Sequence, residues 1–468
     1  LQRMAPNGQK GNGRKRKVSD VSASDAGSNH STPTKGVRAK TAKVSLTWES
    51  FPLGEVGERV LSCGAGEQLG HPGRQSTKKP RKVDLIEEEE LIIRQVVAGG
   101  VHSVLLTTEG RVFTCGINEK GSAPGEGVEP EGSCDEFKEI KFSNLSMHGK
   151  IVRLACGASF SAALTDKGSV IAWGNLRDSS GEVNVHPLLL AMKERPTVVI
   201  HHKKRVISKI AAGENHLVML SESGQILTFG EGSMGQLGRS TRPGNIRGQY
   251  MVDDSGNHLI VHVLRKAKKI LFKDVFAGGF WTMGVANDGA VYAFGLNNFG
   301  QLGIPVDEEK TGLQSVKEED DENGEGEETK RVKKKRENGE EETEEMEADA
   351  PPEDDRELRV CLPTESPLFS YTKWTHIAGV QHIVARSEKS EIFAIGKNTD
   401  NALGLGTWTG KDDSEHWKYS TLEKVAVPCV VAGVSATLGA SVAWGVSGEA
   451  WSWGYDTSGQ LGLGIKED

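Results

Sequence analysis

Long hydrophobic runs are absent from these 468 residues. No apolar stretch approaches the roughly 18 residues that a membrane helix requires, so neither a spanning helix nor a membrane partner is expected. Paired cysteines are also missing. Cys63, Cys115, Cys134, Cys156, Cys361 and Cys429 stand far apart and none forms C-x-x-C. That spacing argues against a zinc knuckle or a redox pair and reads as free buried thiols in a reducing compartment. The start, Leu1-Gln2-Arg3-Met4, has no apolar signal core, so secretion is not expected. A G-x-x-x-x-G-K-S/T phosphate loop and the serine or cysteine nucleophile motifs are lacking too. Glycine is what the chain has in excess: 57 residues, about 12% against a usual share of roughly 7%. Without a G-x-y period, that excess means many turns.

Charge is segregated. The net charge is -8, but residues 1–43 carry ten Lys/Arg and two Asp, whereas residues 307–357 carry 23 Asp/Glu and nine Lys/Arg. Neither segment has enough apolar surface to offset its ordering entropy, and both are expected to be disordered. The first contains Arg14-Lys15-Arg16-Lys17 and the second Lys330-Arg331-Val332-Lys333-Lys334-Lys335-Arg336. Such runs read as nuclear-import or nucleic-acid patches, the bland reading being a solvated charge run. A basic tail would bind DNA phosphates by counterion release, with steep salt dependence.

The rest is a repeat. An apolar strand ending in Gly recurs at Gly64, Gly116, Gly174, Gly230, Gly295, Gly396 and Gly454, several copies leading into Gln-Leu-Gly. The spacings are 52, 58, 56, 65, 101 and 58, and the outlier contains the acidic insert. The insert is therefore expected between two units. A second element precedes most copies: small residues with Gly, often a His, then an apolar strand. Ala98-Gly99-Gly100-Val101-His102 and Ala211-Ala212-Gly213-Glu214-Asn215-His216 are examples. Strand, Gly turn, strand is a hairpin pattern, and two hairpin elements make a four-stranded unit. Seven units predict an all-β fold, a seven-bladed β-propeller over residues 44–468. Only six copies of the His element are visible. The last blade is therefore expected to be incomplete, and with a non-Met start this suggests a fragment.

These repeats resemble the regulator of chromosome condensation family, nuclear exchange factors for the small GTPase Ran. The resemblance covers about residues 44–468 apart from the insert, and Ile210-Ala-Ala-Gly-Glu-Asn-His-Leu-Val-Met-Leu220 fits its pattern throughout. The repeats alone mark a superfamily that also holds scaffolds and ligase adaptors. Trp173-Gly-Asn-Leu-Arg-Asp-Ser-Ser-Gly181 is similar to the start of the wedge that the family pushes into Ran, which implies roles for Arg177 and Asp178. Gly235-Gln-Leu-Gly-Arg239, followed by Arg242 and Arg247, resembles a loop that docks on the histone acidic patch. The resemblance thus implies Ran, histones or the nucleosome, DNA and a nuclear import receptor as partners. It implies a nuclear, chromatin-associated protein with no covalent chemistry and no cofactor. Two departures stand out. The family's acid beside the strand-start His is missing at Ala158, and Asn215 replaces it in the next copy, with Glu214 the nearest carboxylate.

Each candidate has a plainer reading. His102, His216 and His382 recur at one repeat position, which suits a buried imidazole bonding to a neighbouring blade as well as a place at the mouth facing Ran. Their spacing implies no metal site. Gly230-Glu-Gly-Ser-Met-Gly235 matches G-x-G-x-x-G after a strand, but no helix follows and a turn is expected. Arg177 and Asp178 would otherwise pair across a hairpin, and Arg239, Arg242 and Arg247 would otherwise be surface charge. The expected function is Ran nucleotide exchange at chromatin; the alternative is a propeller scaffold or adaptor without exchange activity.

Overall fold

Short apolar-rich runs, many of them bounded by glycine turns, form antiparallel strands of two to eight residues in a computed structural model of the chain. It describes residues 46, 48–51, 56–142, 145–176, 187–239, 259–305, 358–406 and 417–464. Contacts divide the chain into Leu1–Val44 and Ser45–Asp468, and all described residues belong to the second unit.

The first sheet is a two-stranded ribbon of β1 (Leu61–Ala65) and β2 (Ser76–Lys82), followed by the short helix α1 (Leu85–Glu88). Blade one contains β3 (Ile93–Ala98), β4 (His102–Thr107), β5 (Val112–Ile117) and β6 (Ser133–Glu139). Blade two contains β7 (Ile151–Cys156), β8 (Phe160–Thr165), β9 (Val170–Gly174) and β10 (Thr197–Ile200), with helix α2 (Pro187–Glu194) between its last two strands. Blade three has β11 (Ile207–Ala212), β12 (His216–Ser221) and β13 (Ile226–Gly230). A small hairpin, β14 (Leu264–Arg265) and β15 (Lys268–Lys269), precedes blade four: β16 (Phe272–Gly278), β17 (Trp281–Ala286), β18 (Val291–Leu296) and β19 (Arg359–Glu365). Blade five is β20 (Trp374–Gly379), β21 (His382–Ser387), β22 (Ile392–Lys397) and β23 (Lys418–Val425). Blade six is β24 (Val431–Ala436), β25 (Ala440–Gly445) and β26 (Ala450–Gly454).

The fold is thus an all-β propeller, but with six blades among the described residues rather than seven. The reason lies in how a blade is built. Every blade pairs a His-element strand with a Gly strand: His102 faces Gly116, Phe160 Gly174, His216 Gly230, Trp281 Gly295, His382 Gly396 and Ala440 Gly454. The Gly strand β1 pairs only with β2 among the described residues. Blade number follows the scarcer element. The insert is corrected as well. Residues 306–357 connect β18 to β19, which pair within blade four, so the insertion falls inside a blade and not between blades.

The first strands of successive blades touch in order, β3 with β7, then β11, β16, β20 and β24, and so surround the axis. Apolar side chains fill the spaces between blades; Val104, Leu106, Ile151, Leu154, Ala163 and Trp173 form one such layer. Gly116 shows why the strands end in glycine. Its φ is 117°, where other residues are strained, and a Cβ there would collide with the Val101 carbonyl.

Candidate functional site

At one end of the axis lie the loops that enter the second strand of each blade. They are 99–101, 157–159, 213–215, 278–280, 379–381 and 437–439. Four backbone bonds tie successive loops together: Gly100 and Val101 N–H donate to Ala158 O (2.9 and 3.2 Å), Ala158 N–H to Glu214 O (2.8 Å) and Glu214 N–H to Gly279 O (2.8 Å). Glu214 is the only carboxylate in these six loops. It is half-buried, and burial pushes its pKa up. Beside it, the Asn215 side-chain oxygen is buried with no hydrogen-bond partner.

The three histidines lie beneath this mouth. His102 Nε2 is 2.6 Å from Ser161 Oγ, His216 Nε2 is 2.9 Å from Thr282 Oγ1, and His382 Nε2 is 2.8 Å from Ser441 Oγ. Each bond crosses to the next blade. Thr282 and Ser441 donate onward to the carbonyls of Gln236 and Ala402. Their protons are thereby engaged, so the imidazoles of His216 and His382 donate from Nε2. Burial lowers the pKa of His102 to about 4, of His216 to about 3 and of His382 to about 4. The rings are neutral spacers between blades. Phe160 and Trp281, both fully buried, stand at the same position in blades two and four.

Blade two breaks the repeat in one place. Two residues beyond the strand glycine, Asn118, Asn297, Asn398 and Asp456 each accept a backbone N–H five residues on, at 2.9–3.2 Å. That bond closes the usual turn. Blade three has Gly232 there and keeps the turn through Gly235 N–H donating to Gly232 O (3.0 Å), whereas blade two has Leu176. Its side chain is buried in the largest core cluster and lies against Gly230, and the preceding Asn175 N–H donates to Ser159 O at 2.7 Å. The chain returns in α2, whose Leu189 and Met192 are buried in the same cluster. The resemblance puts a wedge around Leu176–His186, where the usual Gln-Leu-Gly turn is missing; the burial of Leu176 and the helix α2 were not read from the sequence. Arg177 and Asp178 lie between these anchors, outside the described residues.

The base of that segment, the Ser159 carbonyl, Glu214, Asn215 and His216 come together at blades two and three. His102 and His382 lie at other junctions. Arg239 is turned inward: its guanidinium bonds Thr228 Oγ1 (3.0 Å) and Thr228 O (3.1 Å), and burial lowers its pKa to about 10. These bonds secure the loop after β13. Arg242, Arg247 and Arg14 to Lys17 lie outside the described residues. Among the described residues no group of three His, Cys, Asp or Glu side chains could hold a metal ion.

The fold and these junctions define a repeat propeller with neutral imidazoles buried between its blades. The chain belongs to the family of the RCC1-like domain, whose sequence model matches residues 59–468. It is 30% identical over 423 residues to the regulator of chromosome condensation of Xenopus laevis, covering 89% of this chain and 83% of that one. Two solved yeast structures share the fold. One is yeast RCC1 (Prp20) bound to Kap60, with a TM-score of 0.68, 21% identity and coverage of 94% of this chain and 89% of that one. The other is Prp20p of Saccharomyces cerevisiae, described with its binding properties to Gsp1p and histones, with a TM-score of 0.66, 22% identity and coverage of 90% and 87%.

Proposed function

We propose that this protein is a chromatin-associated guanine-nucleotide exchange factor for the small GTPase Ran. The observation that carries the reading is the departure at Leu176, in a chain whose relatives are regulators of chromosome condensation. A segment whose flanks, Leu176 and α2, are buried in the core beside the blade that carries Glu214 and Asn215 suits a wedge inserted into a GTPase. Arg177 and Asp178 would sit at its root, and Glu214 would supply the carboxylate that Ala158 and Asn215 do not. His216 would hold the Glu214 loop from below, with His102 and His382 keeping the neighbouring loops in register.

Exchange needs no bond to be made or broken in the protein. The platform binds the GTPase best when its nucleotide is gone. Coupling is reciprocal, so the factor by which this protein weakens nucleotide binding is the factor by which nucleotide weakens its own hold. The ratio of free GTP to GDP then sets the direction. Arg242 and Arg247 would meet an acidic histone surface, Arg14 to Lys17 would meet DNA, and the basic runs would serve a nuclear import receptor. Together these contacts place exchange in the nucleus, at chromatin. A scaffold without exchange activity is the second reading, favoured by the missing acids at Ala158 and Asn215.

The test is release of a fluorescent guanine nucleotide from Ran, with this protein at about one-hundredth the GTPase concentration and unlabelled nucleotide as chase. Multiple turnovers are expected, with Glu214→Ala and Asp178→Ala each lowering the rate. No acceleration by a protein with intact circular dichroism would select the scaffold reading.

A further inference from the structure

Two rings of residues border the mouth, and their charges are sorted by blade. The inner ring is the set of six loops that enter the second strands. The outer ring is the residue after each strand glycine: Ile117, Asn175, Glu231, Leu296, Lys397 and Tyr455. Each donates its backbone N–H to the carbonyl of the last residue of its own blade's mouth loop, at 2.7–3.1 Å. The two rings carry three charged residues, Glu214 and Glu231 in blade three and Lys397 in blade five. Glu231 is 4% exposed and accepts from Ser233 Oγ, so its carboxylate is covered. Lys397 is half-buried. Its Nζ donates to Gln381 Oε1 at 3.2 Å, and among the described residues no carboxylate pairs with it.

The surroundings of Lys397 are aromatic. Its Nζ stands over the Phe299 ring, 5.5 Å from the centre, and Phe299 meets Trp417 edge to face at 5.8 Å. Phe299 comes from the turn after β18 in blade four and Trp417 from the residue before β23 in blade five, so the corner spans a junction. Register explains the place of Trp417. Asn398 N–H donates to its carbonyl at 2.6 Å, as Asn118 does to Gly132 and Asn297 to Leu358. Where those blades have a glycine and a leucine, blade five carries an indole that is 41% exposed. A tryptophan beside a basic side chain and open to solvent has the composition of an interface anchor.

We propose that Lys397, Phe299 and Trp417 form an anchoring corner for the small GTPase, separate from the segment at blade two. Lys397 takes a carboxylate of the GTPase, and the two rings take an apolar side chain beside it. Glu214 lies two blades away, so the mouth has a negative side at blade three and a positive side at blade five. A partner that meets both is fixed in orientation. Charge complementarity of this kind sets register and partner choice more than affinity, whereas the indole, once desolvated, supplies affinity. The proposal rests on the reading of a GTPase at the mouth.

The test is binding of nucleotide-free Ran to the full chain, read by surface plasmon resonance beside the nucleotide-release assay. Trp417→Ala should weaken binding about tenfold or more. Lys397→Ala should weaken it about two- to fivefold, and Lys397→Glu more. The difference between the two Lys397 variants should shrink as salt rises from about 0.05 M to about 0.5 M. In exchange the loss should appear in KM rather than in kcat. Urea midpoints should stay close to that of the unaltered protein, since neither side chain is buried. Equal binding by Trp417→Ala and the unaltered protein overturns the proposal and leaves exchange standing. So does a Lys397 effect that salt does not change, or a loss of binding matched by a loss of stability. If the unaltered protein binds Ran without releasing its nucleotide, the exchange reading fails and the variants still decide the corner. If it does not bind Ran, both are wrong.

Discussion

Two kinds of junction hold this propeller together. Between blades one and two, three and four, and five and six, a neutral imidazole bonds a hydroxyl across the gap. Further polar contacts reinforce them: Gln95 exchanges two bonds with the Leu154 backbone, Lys209 pairs with Asp274, and Arg386 bonds Val431 O. In blades two and four the same position holds Phe160 and Trp281, buried rings with no such bond. The difference teaches that this position is a spacer before it is a polar group. Its shape keeps two blades apart at a fixed distance, and the hydrogen bond adds direction.

Acid should separate the two kinds most strongly. Burial holds the three imidazole pKa values near 3 to 4, below the roughly 6.5 of an unfolded chain. The unfolded state therefore takes up protons first as pH falls. Stability is full above about pH 6.5 and declines towards pH 4, by about 1.4 kcal/mol per pH unit for each imidazole. Urea midpoints measured from pH 7.5 to 4.5 should show this decline, and replacing one His by Phe should make it shallower. Next in size is Trp281→Ala. Emptying a fully buried ring should cost about 3–5 kcal/mol by urea denaturation. Ser161→Ala follows at about 1–3 kcal/mol, because it leaves the buried His102 without its partner. His216→Phe keeps the spacer and loses the bond, so about 1 kcal/mol is expected from the same measurement.

The strands, the glycine turns and the all-β class were legible because each blade repeats one pattern. Counting glycine strands overstated the blades, since among the described residues β1 pairs only with β2 and has no His-element strand. The insert was misplaced for a related reason: a blade's fourth strand, such as β19, carries no motif, so a gap before it looks like a gap between units. The histidines were visible as a recurrence. Their partners Ser161, Thr282 and Ser441 lie 59 to 66 residues away, and only the register of the next copy reveals them. The bonds of Arg239 to Thr228 were not legible, because sequence does not show which way a guanidinium turns. Leu176 was hidden for the opposite reason: a leucine in a core draws no notice unless the asparagine it replaces is expected.

The pairing of β18 with β19 carries a consequence for how this chain is made. Between Leu296 and Arg359 lie 62 residues. A ribosome adding about 5–20 residues per second needs some 3–12 s to cross them. For that interval the nascent blade four waits with its third strand open, an edge on which another chain could dock. The segment emerging next to it is the most acidic in the protein. Its carboxylates repel one another and any like-charged neighbour, and charge beside an open edge discourages wrong pairing. Until its own last strand arrives, the open edge of blade four is thus followed in the chain by carboxylates and not by apolar surface.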